Sequence, residues 1–406
     1  MSINNKLKRK LTNLETKQKE PAAIIKDIID IISLVEKGKG IEPDNKYYAL
    51  LQEMILLPRF KKLKIIKNIL YYFSTKNTRT QSNIIPLFNN ESKVRELVAE
   101  NINDFKKESS IDNVLNINSG LGDLLDETLI KLPEASYVSQ EFNKELLNIQ
   151  KNIYSIFDFN IEFKNVNPLE VEPPKEKYDL VINQVATDLD HLNIKLNDFD
   201  LSMFNGIKNI DVISATILKS LENVKKNGFL ISVIPTSFLF KMKYEQIRNT
   251  LLENSQLLSI TEIDNSIFKG SEMKYSVITI KNSSKNKKNC TIKLATYYSD
   301  NKEFDFKIIK YKDLELENWL PIKYIIEPDA PNFKTKNLKE VVKINSQSRR
   351  IQAGDIVPLK NNKVVHLKSV DDTGKIIFPS KEKTEELSSK IRLKANKGDI
   401  LMPLIQ

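Results

Sequence analysis

A chain of 406 residues, 40% hydrophobic and 29% charged with a mean hydropathy of −0.36, reads as a globular protein of about two to three domains. A lone cysteine, Cys290, excludes internal disulfides, and the two histidines, His191 and His366, lie too far apart to assemble a clustered zinc site, so no metal centre is expected. No apolar run reaches the ~18–20 residues of a membrane helix, and the basic N-terminus lacks the apolar stretch of a signal peptide, which implies a cytoplasmic protein with no membrane partner.

The net charge of +10 is unevenly spread. Residues 1–80 hold 17 Lys/Arg against 8 Asp/Glu, residues 81–330 hold 30 against 37, and residues 331–406 hold 16 against 8. A lysine- and asparagine-rich composition would scatter positive charge everywhere and does not account for an acidic middle. Two basic ends therefore point to a polyanion.

In chain order, residues 22–36 place Ile24, Ile25, Ile28, Ile31, Ile32 and Val35 at helical spacing. A second helical stretch over 47–73, broken near Pro58, carries Lys61, Lys62, Lys64 and Lys67, so residues 1–80 read as a basic helical domain whose four lysines are candidates for contact with that polyanion. From residue 112 the texture changes. Short apolar runs at 114–117, 137–138, 161–163, 178–182, 228–234, 257–263, 275–281 and 291–297 alternate with helical segments at 141–154, 211–225 and 243–254. That alternation predicts a parallel sheet covered by helices over residues 81–325. The polar stretch 282–289 reads as a solvated hairpin loop before the strand at 291–297. Pro321, Pro328 and Pro331 mark a linker, and a small β-rich segment follows over 332–406 with turns at Gly354, Gly374 and Gly398.

In such a sheet ligands bind at the carboxyl ends of the strands. The first strand-to-helix turn holds Asn116, Gly120 and Gly122. Two glycines also simply make a tight turn, but their place after the first strand of a glycine-poor chain favours a cofactor loop. An acid closing the second strand would hold ribose hydroxyls, and Glu141, next to Gln140, stands there.

The order of these segments resembles the adenine-N6 DNA methyltransferases of restriction-modification systems, type I modification subunits and type IIG-like enzymes among them. Residues 86–98 are similar to the family's "GQFFTP" and the helix after it, residues 114–125 (VLNINSGLGDLL) to "VLDPACGSGGFL", and residues 178–183 (YDLVIN) to "FDLVIGN", the strand ending in the catalytic "NPPY". Residues 226–281 resemble "GGRLAFIVPSSFL", "LRKYLLEN" and "GVFGSGVKTSILVLKK" in order and spacing. The resemblance covers about residues 20–300 and implies a Rossmann-like class I methyltransferase sheet with S-adenosylmethionine as cofactor.

It also implies where this chain departs from the pattern. Asn116 stands for the aspartate that receives the cofactor's amino acid end, Gln140 or Glu141 for the ribose acid, and Asn167 for the aspartate that accepts from the cofactor adenine. An amide in place of a carboxylate loses charge assistance, and charged hydrogen bonds are about twice as strong as neutral ones. At the catalytic tetrapeptide stand Asn183, Gln184, Val185 and Ala186. Both prolines are gone and Ala186 cannot stack on an extruded base, which forfeits about 1–3 kcal/mol. Phe199 and Phe204 are the downstream aromatics that could substitute. Cofactor binding is therefore expected to be weak or absent. Residues 338–346 and 397–402 look like the "LGDVAEIxSG" and "PGDILIS" signatures of target-recognition domains, with Arg349 and Arg350 as further DNA-contact candidates. The expectation is a DNA-binding, catalytically impaired adenine methyltransferase-like protein, partnered by a specificity or restriction subunit. The alternatives are an active enzyme with a divergent NQVA motif and an interaction scaffold, and the segregated positive charge argues against the scaffold.

Overall fold

The computed structural model describes residues 57–76, 92–155, 157, 159–185, 210–263, 274–283, 290–298 and 304–326, with two short strands at 356–358 and 385–387. The helical pattern at 22–36, Ala186, Phe199, Phe204, Arg349, Arg350 and the apolar chain end at 400–405 lie outside the described residues. The chain divides into two units, Met1–Glu327 and Pro328–Gln406.

In the first unit the alternating pattern becomes, in order, α1 (Arg59–Lys76), α2 (Ser92–Glu108), β1 (Asn113–Ile117), α3 (Asp123–Lys131), β2 (Ser136–Gln140), α4 (Lys144–Ser155), β3 (Ile161–Lys164), β4 (Tyr178–Gln184), α5 (Val212–Glu222), β5 (Val224–Pro235), α6 (Glu245–Asn254), β6 (Gln256–Ile263), β7 (Tyr275–Lys281), β8 (Thr291–Tyr297), β9 (Phe304–Lys310) and α7 (Ile322–Ile325). The strands form one sheet in the order β3-β2-β1-β4-β5-β7-β6-β8-β9. Strands β1 to β5 are mutually parallel, and β7 runs antiparallel to both its neighbours. The chain winds outward through β1, β2 and β3, then restarts beside β1 with β4. That reversal makes the carboxyl ends of β1 and β4 the topological switch point, where open α/β sheets bind ligands.

Alternate residues of each strand feed two apolar layers. Val114, Leu180, Ile182, Phe229 and Ile231 pack under α2, α3 and α4, whereas Leu115, Val181, Leu230 and Ile234 pack with Ile217, Leu218 and Leu221 of α5. Helix α2 locks on through Phe105, whose ring stacks on Phe229 with centroids 4.0 Å apart.

Three expectations are corrected. Helix α1 starts at Arg59, because the Pro58 carbonyl accepts from the amides of Lys61 and Lys62, and its Leu63 and Ile66 enter the same apolar layer as Val94 and Val114. This helix, expected in a separate domain, shares the core of the sheet. The segment 282–289 does not join a hairpin, since β6 lies between β7 and β8 and β8 pairs with β6 in parallel. Finally, α5 ends at Glu222, three residues before its expected end, and β5 starts at Val224.

At the amino edge of the sheet Asp179 is buried. Its Oδ2 accepts from the amides of Asp112 and Asn113, 2.9 Å each, and its other oxygen pairs with Lys225. The start of β1 is thereby fixed to β4. In the second unit, β10 (Ile356–Pro358) and β11 (Glu385–Leu387) pair antiparallel. Among the described residues no helix is long and apolar enough to cross a membrane, and no three His, Cys, Asp or Glu side chains are grouped to hold a metal ion.

Candidate cofactor and base site at the carboxyl edge

Parallel pairing in register sets one row of residues across the carboxyl edge: Lys164, Gln140, Ile117, Asn183 and Ser232. The glycine loop and the start of the NQVA segment therefore leave the sheet side by side. The loop turns back at once. Asn118 adopts a left-handed φ of 53°, Ser119 N donates to Gln140 O, and Gly122 N donates to Ser119 O.

The acid just after β2 closes the loop. Glu141 Oε2 accepts from Gly120 N at 2.8 Å and Oε1 from Asn143 N at 2.9 Å. Burial pushes its carboxyl above the usual range, and these backbone donors oppose the rise. Asn167, after β3, is engaged at both ends of its amide, with Nδ2 donating to Glu170 Oε1 and Oδ1 accepting from Leu169 N. Asn116 is 2% exposed and its Nδ2 has no hydrogen-bond partner. An amide here carries no charge, so towards an ammonium group it lacks the charge assistance of the aspartate it replaces.

Asn183 is fully buried. Ser232 Oγ donates to its Oδ1, its Nδ2 donates to Ser220 Oγ at 2.5 Å, and Ser220 Oγ donates to Thr216 O. This relay ties β5 to β4 and β4 to α5, with both ends of the amide in use. Laid on the strand residue for residue from Tyr178, the family's FDLVIGN puts Asn183 on the glycine and Gln184 on the asparagine. Gln184 is half-buried at the strand end, whereas Val185 is buried and its amide donates to Val233 O.

The expected lysine cluster splits. Lys61 is exposed and Lys62 and Lys64 are half-buried, but Lys67 is 1% exposed and does not face solvent. Its Nζ donates to Asp126 Oδ2 at 2.7 Å and to Tyr154 Oη at 2.9 Å, with Asp123 Oδ1 at 3.9 Å. Tyr154 Oη in turn donates to Gly122 O. Lys67 is thus a buried counter-ion beneath the glycine loop, and its assignment to DNA contact is wrong. Leu63, Ile66 and Lys67 share one stripe of α1, and Asp123 and Asp126 stand three apart on α3. Those spacings were the available signal.

Burial pushes the Asp126 carboxyl up to about 6 from an ordinary 3.8, with Lys67 opposing and Asp123 adding to the rise. A carboxyl raised in the folded state contributes stability that is full below its unfolded pKa and is lost as pH rises through the folded one. The natural chain is therefore expected to lose about 3 kcal/mol relative to Asp126→Asn between about pH 4 and pH 7.5. Urea unfolding of both chains across that interval measures it, and a constant difference would mean that Asp126 ionises as freely as in the unfolded chain.

Sequence reasoning missed three exposed apolar side chains at this edge: Phe142 after β2, 40% exposed, and Phe240 and Met242 after β5, 42% and 85% exposed. No sequence period marks them, because their exposure depends on where the strands end. Between and beside the last two stand Lys241 and Lys243, the latter paired with Asp211 at 2.8 Å.

No family model matches the chain, and no curated protein matches it in sequence. Among solved structures it is similar to the type IIG restriction endonuclease BpuSI, with a TM-score of 0.51 and 11% identity over 78% of this chain and 47% of that one. It aligns with the type I restriction-modification methyltransferase subunit of Streptococcus thermophilus at a TM-score of 0.49 and 16% identity, over 64% of this chain and 58% of that one. A class I S-adenosylmethionine-dependent methyltransferase of Listeria monocytogenes aligns at 0.49 and 12%, over 68% and 86%. The chain thus spans less than two thirds of the first two proteins. Its sheet order, with β7 reversed between β5 and β6, is a Rossmann-like α/β sheet, and the likeness to BpuSI is one of fold.

Proposed function

We propose that this chain is a DNA-binding, methyltransferase-like protein of a restriction-modification or related phage-defence system in which transfer to adenine N6 is impaired. With NQVA laid on the family's NPPY, the observation that carries this reading is the state of Asn183; laid on the strand from Tyr178, the base-gripping place passes to Gln184. An amide that grips an extruded base must present free hydrogen-bonding atoms to it. Here both ends are committed inside the protein, to Ser220 and Ser232.

The cofactor side agrees. S-adenosylmethionine carries a methyl group on a sulfonium beside an ammonium, and both cations favour carboxylates. At the matching positions Asn116 is an uncharged amide, Asn167 is closed on its own turn, and Glu141 already accepts from Gly120 and Asn143. These residues do not fit tight binding of that cofactor.

DNA affinity then rests on Lys61, Lys62 and Lys64 of α1 and on the basic second unit with Arg349 and Arg350, completed by a specificity or restriction subunit. Exposed Phe142 and Phe240 supply stacking faces at the carboxyl edge.

The test is calorimetric titration of the full chain with S-adenosylmethionine, paired with duplex-DNA binding at two salt concentrations. No heat from the cofactor is expected, together with DNA affinity that falls by orders of magnitude as salt rises. The double variant Asn116→Asp, Asn167→Asp is expected to gain cofactor binding. Radiolabelled methyl transfer to DNA by the natural chain would overturn the reading.

A second reading, an active enzyme with the divergent NQVA motif, is favoured by the half-buried place of Gln184, which would take the asparagine's part. In that case Gln184→Ala abolishes a methyl transfer that the natural chain performs.

A further inference from the structure

Arg95, on α2, is a buried cation with nothing to neutralise it. The residue is 6% exposed, its Nε makes no hydrogen bond, and among the described residues no carboxylate pairs with it. A guanidinium taken out of water needs a counter-ion and acceptors for its donors.

Helix geometry directs Arg95 to the glycine loop. Helices α2 and α3 both run from the carboxyl to the amino edge of the sheet, since each delivers the chain to the start of a strand. Near the end of α2, Lys106 Nζ donates to Lys131 O at the end of α3, 3.0 Å away. Arg95 precedes Lys106 by about three turns and so lies on the same stripe of α2. The rise over that interval, about 16.5 Å, exceeds the about 13.5 Å of α3, which brings Arg95 level with the loop before α3.

A second buried donor stands under that loop. Asn116 shares its face of β1 with Val114, the face that α2 and α3 cover, and its Nδ2 makes no hydrogen bond. Helix α3, nine residues long, starts there without a side-chain cap: Gly122 is the cap residue, and the amides of Leu124 and Leu125 precede the first intrahelical bond, from Asp126 N to Gly122 O. The acids nearby are engaged elsewhere, Asp123 and Asp126 by Lys67, and Glu141 by the amides of Gly120 and Asn143.

A buried guanidinium, an amide donor and a helix N-terminus favour one ligand chemistry, a negative group with several acceptor oxygens. A carboxylate offers two oxygens in a plane. A phosphate offers three strong acceptors in a tetrahedral array, which matches donors arriving from α2, β1 and α3. We infer that Arg95, Asn116 and the start of α3 form a phosphate site, and that the glycine loop takes the phosphate end of a small molecule rather than a sulfonium cofactor. The site is separate from DNA binding, because Arg95 is too deeply buried to reach a duplex backbone.

Calorimetric titration of the full chain with inorganic phosphate, at constant ionic strength in chloride, is the test. Saturable binding in the millimolar range is expected, with acetate about tenfold weaker. Arg95→Met should weaken phosphate binding by about tenfold or more, and so should Asn116→Asp, which gives the arginine an internal counter-ion. Lys107→Gln, an equal loss of charge at the exposed end of α2, should leave it unchanged. Circular dichroism reports the fold of each variant. Arg95→Met removes an uncompensated charge and should stay folded, and Asn116→Asp, which keeps the side chain's size, decides the matter if it does not. Absence of phosphate binding, equal binding of acetate, or an affinity that the substitutions at 95 and 116 leave unchanged overturns the inference. So does a matching fall in duplex-DNA affinity for Arg95→Met, which would assign the phosphate to a nucleic acid backbone.

Discussion

Lys67→Met is expected to lose about 3–5 kcal/mol of stability near pH 8, because breaking a buried pair leaves a carboxylate with no counter-ion in the apolar interior. Lys67 is the cation 2.7 Å from Asp126 and 3.9 Å from Asp123, and the methionine keeps its length and apolar stem. The loss should shrink as pH falls toward about 6, because without the opposing lysine Asp126 takes up its proton at a higher pH than in the natural chain. Lys61→Met, on the exposed side of the same helix, should change stability by less than about 0.5 kcal/mol. Urea titrations at the two pH values check both. Equal stability of the two variants would mean that α1 does not dock on α3 and α4 in solution. Neutralising Lys61, Lys62, Lys64 and Lys67 at once would therefore unfold the glycine loop's support before it reported on DNA, and Lys61, Lys62 and Lys64 are the set to change.

Gly122→Ala is expected to cost about 2–5 kcal/mol, while Gly120→Ala, two residues earlier in the same loop, should cost only about 1–2. Both glycines hold a left-handed φ, +80° and +56°, so both alanines pay the conformational strain. They differ in what the new methyl group meets. At Gly122 it would stand 2.5 Å from Tyr154 Oη and 2.9 Å from Gln150 Nε2, and it would displace the tyrosine that bonds both Gly122 O and Asp126 Oδ1. At Gly120 there is nothing within 4 Å. Thermal or urea unfolding of the two variants side by side reads the difference. Equal costs would show that α4 does not press on the loop, and that Gly122, like Gly120, is kept for its dihedral angles alone.

The alternation of strands and helices over residues 112–297 was legible because it depends on local pattern: a period of two or four residues, or a turn at the end of an apolar run. The insertion of β6 between β7 and β8 was not, since both connections are compatible with the same run lengths. Asn183 illustrates the deeper limit. Its partners, Ser220 and Ser232, lie 37 and 49 residues away. An asparagine after an apolar strand reads the same whether it faces a substrate or a pair of serines. Lys67 fails similarly: a lysine among lysines reads as a basic face until the helix is docked and two aspartates 56 and 59 residues further on are found beneath it.

Asp179 and Asn183 occupy the two ends of one strand, and the ends answer to different demands. The aspartate at the amino end fastens two backbone amides of the neighbouring strand, so any protein with this architecture benefits from it whatever it does. At the carboxyl end Asn183 is held by serines of β5 and α5, and Gln184 closes the strand half-buried. A single seven-residue strand thus carries a fastening at each end, the first made to backbone and the second to side chains, so a comparison of backbones alone would register the first and be blind to the second.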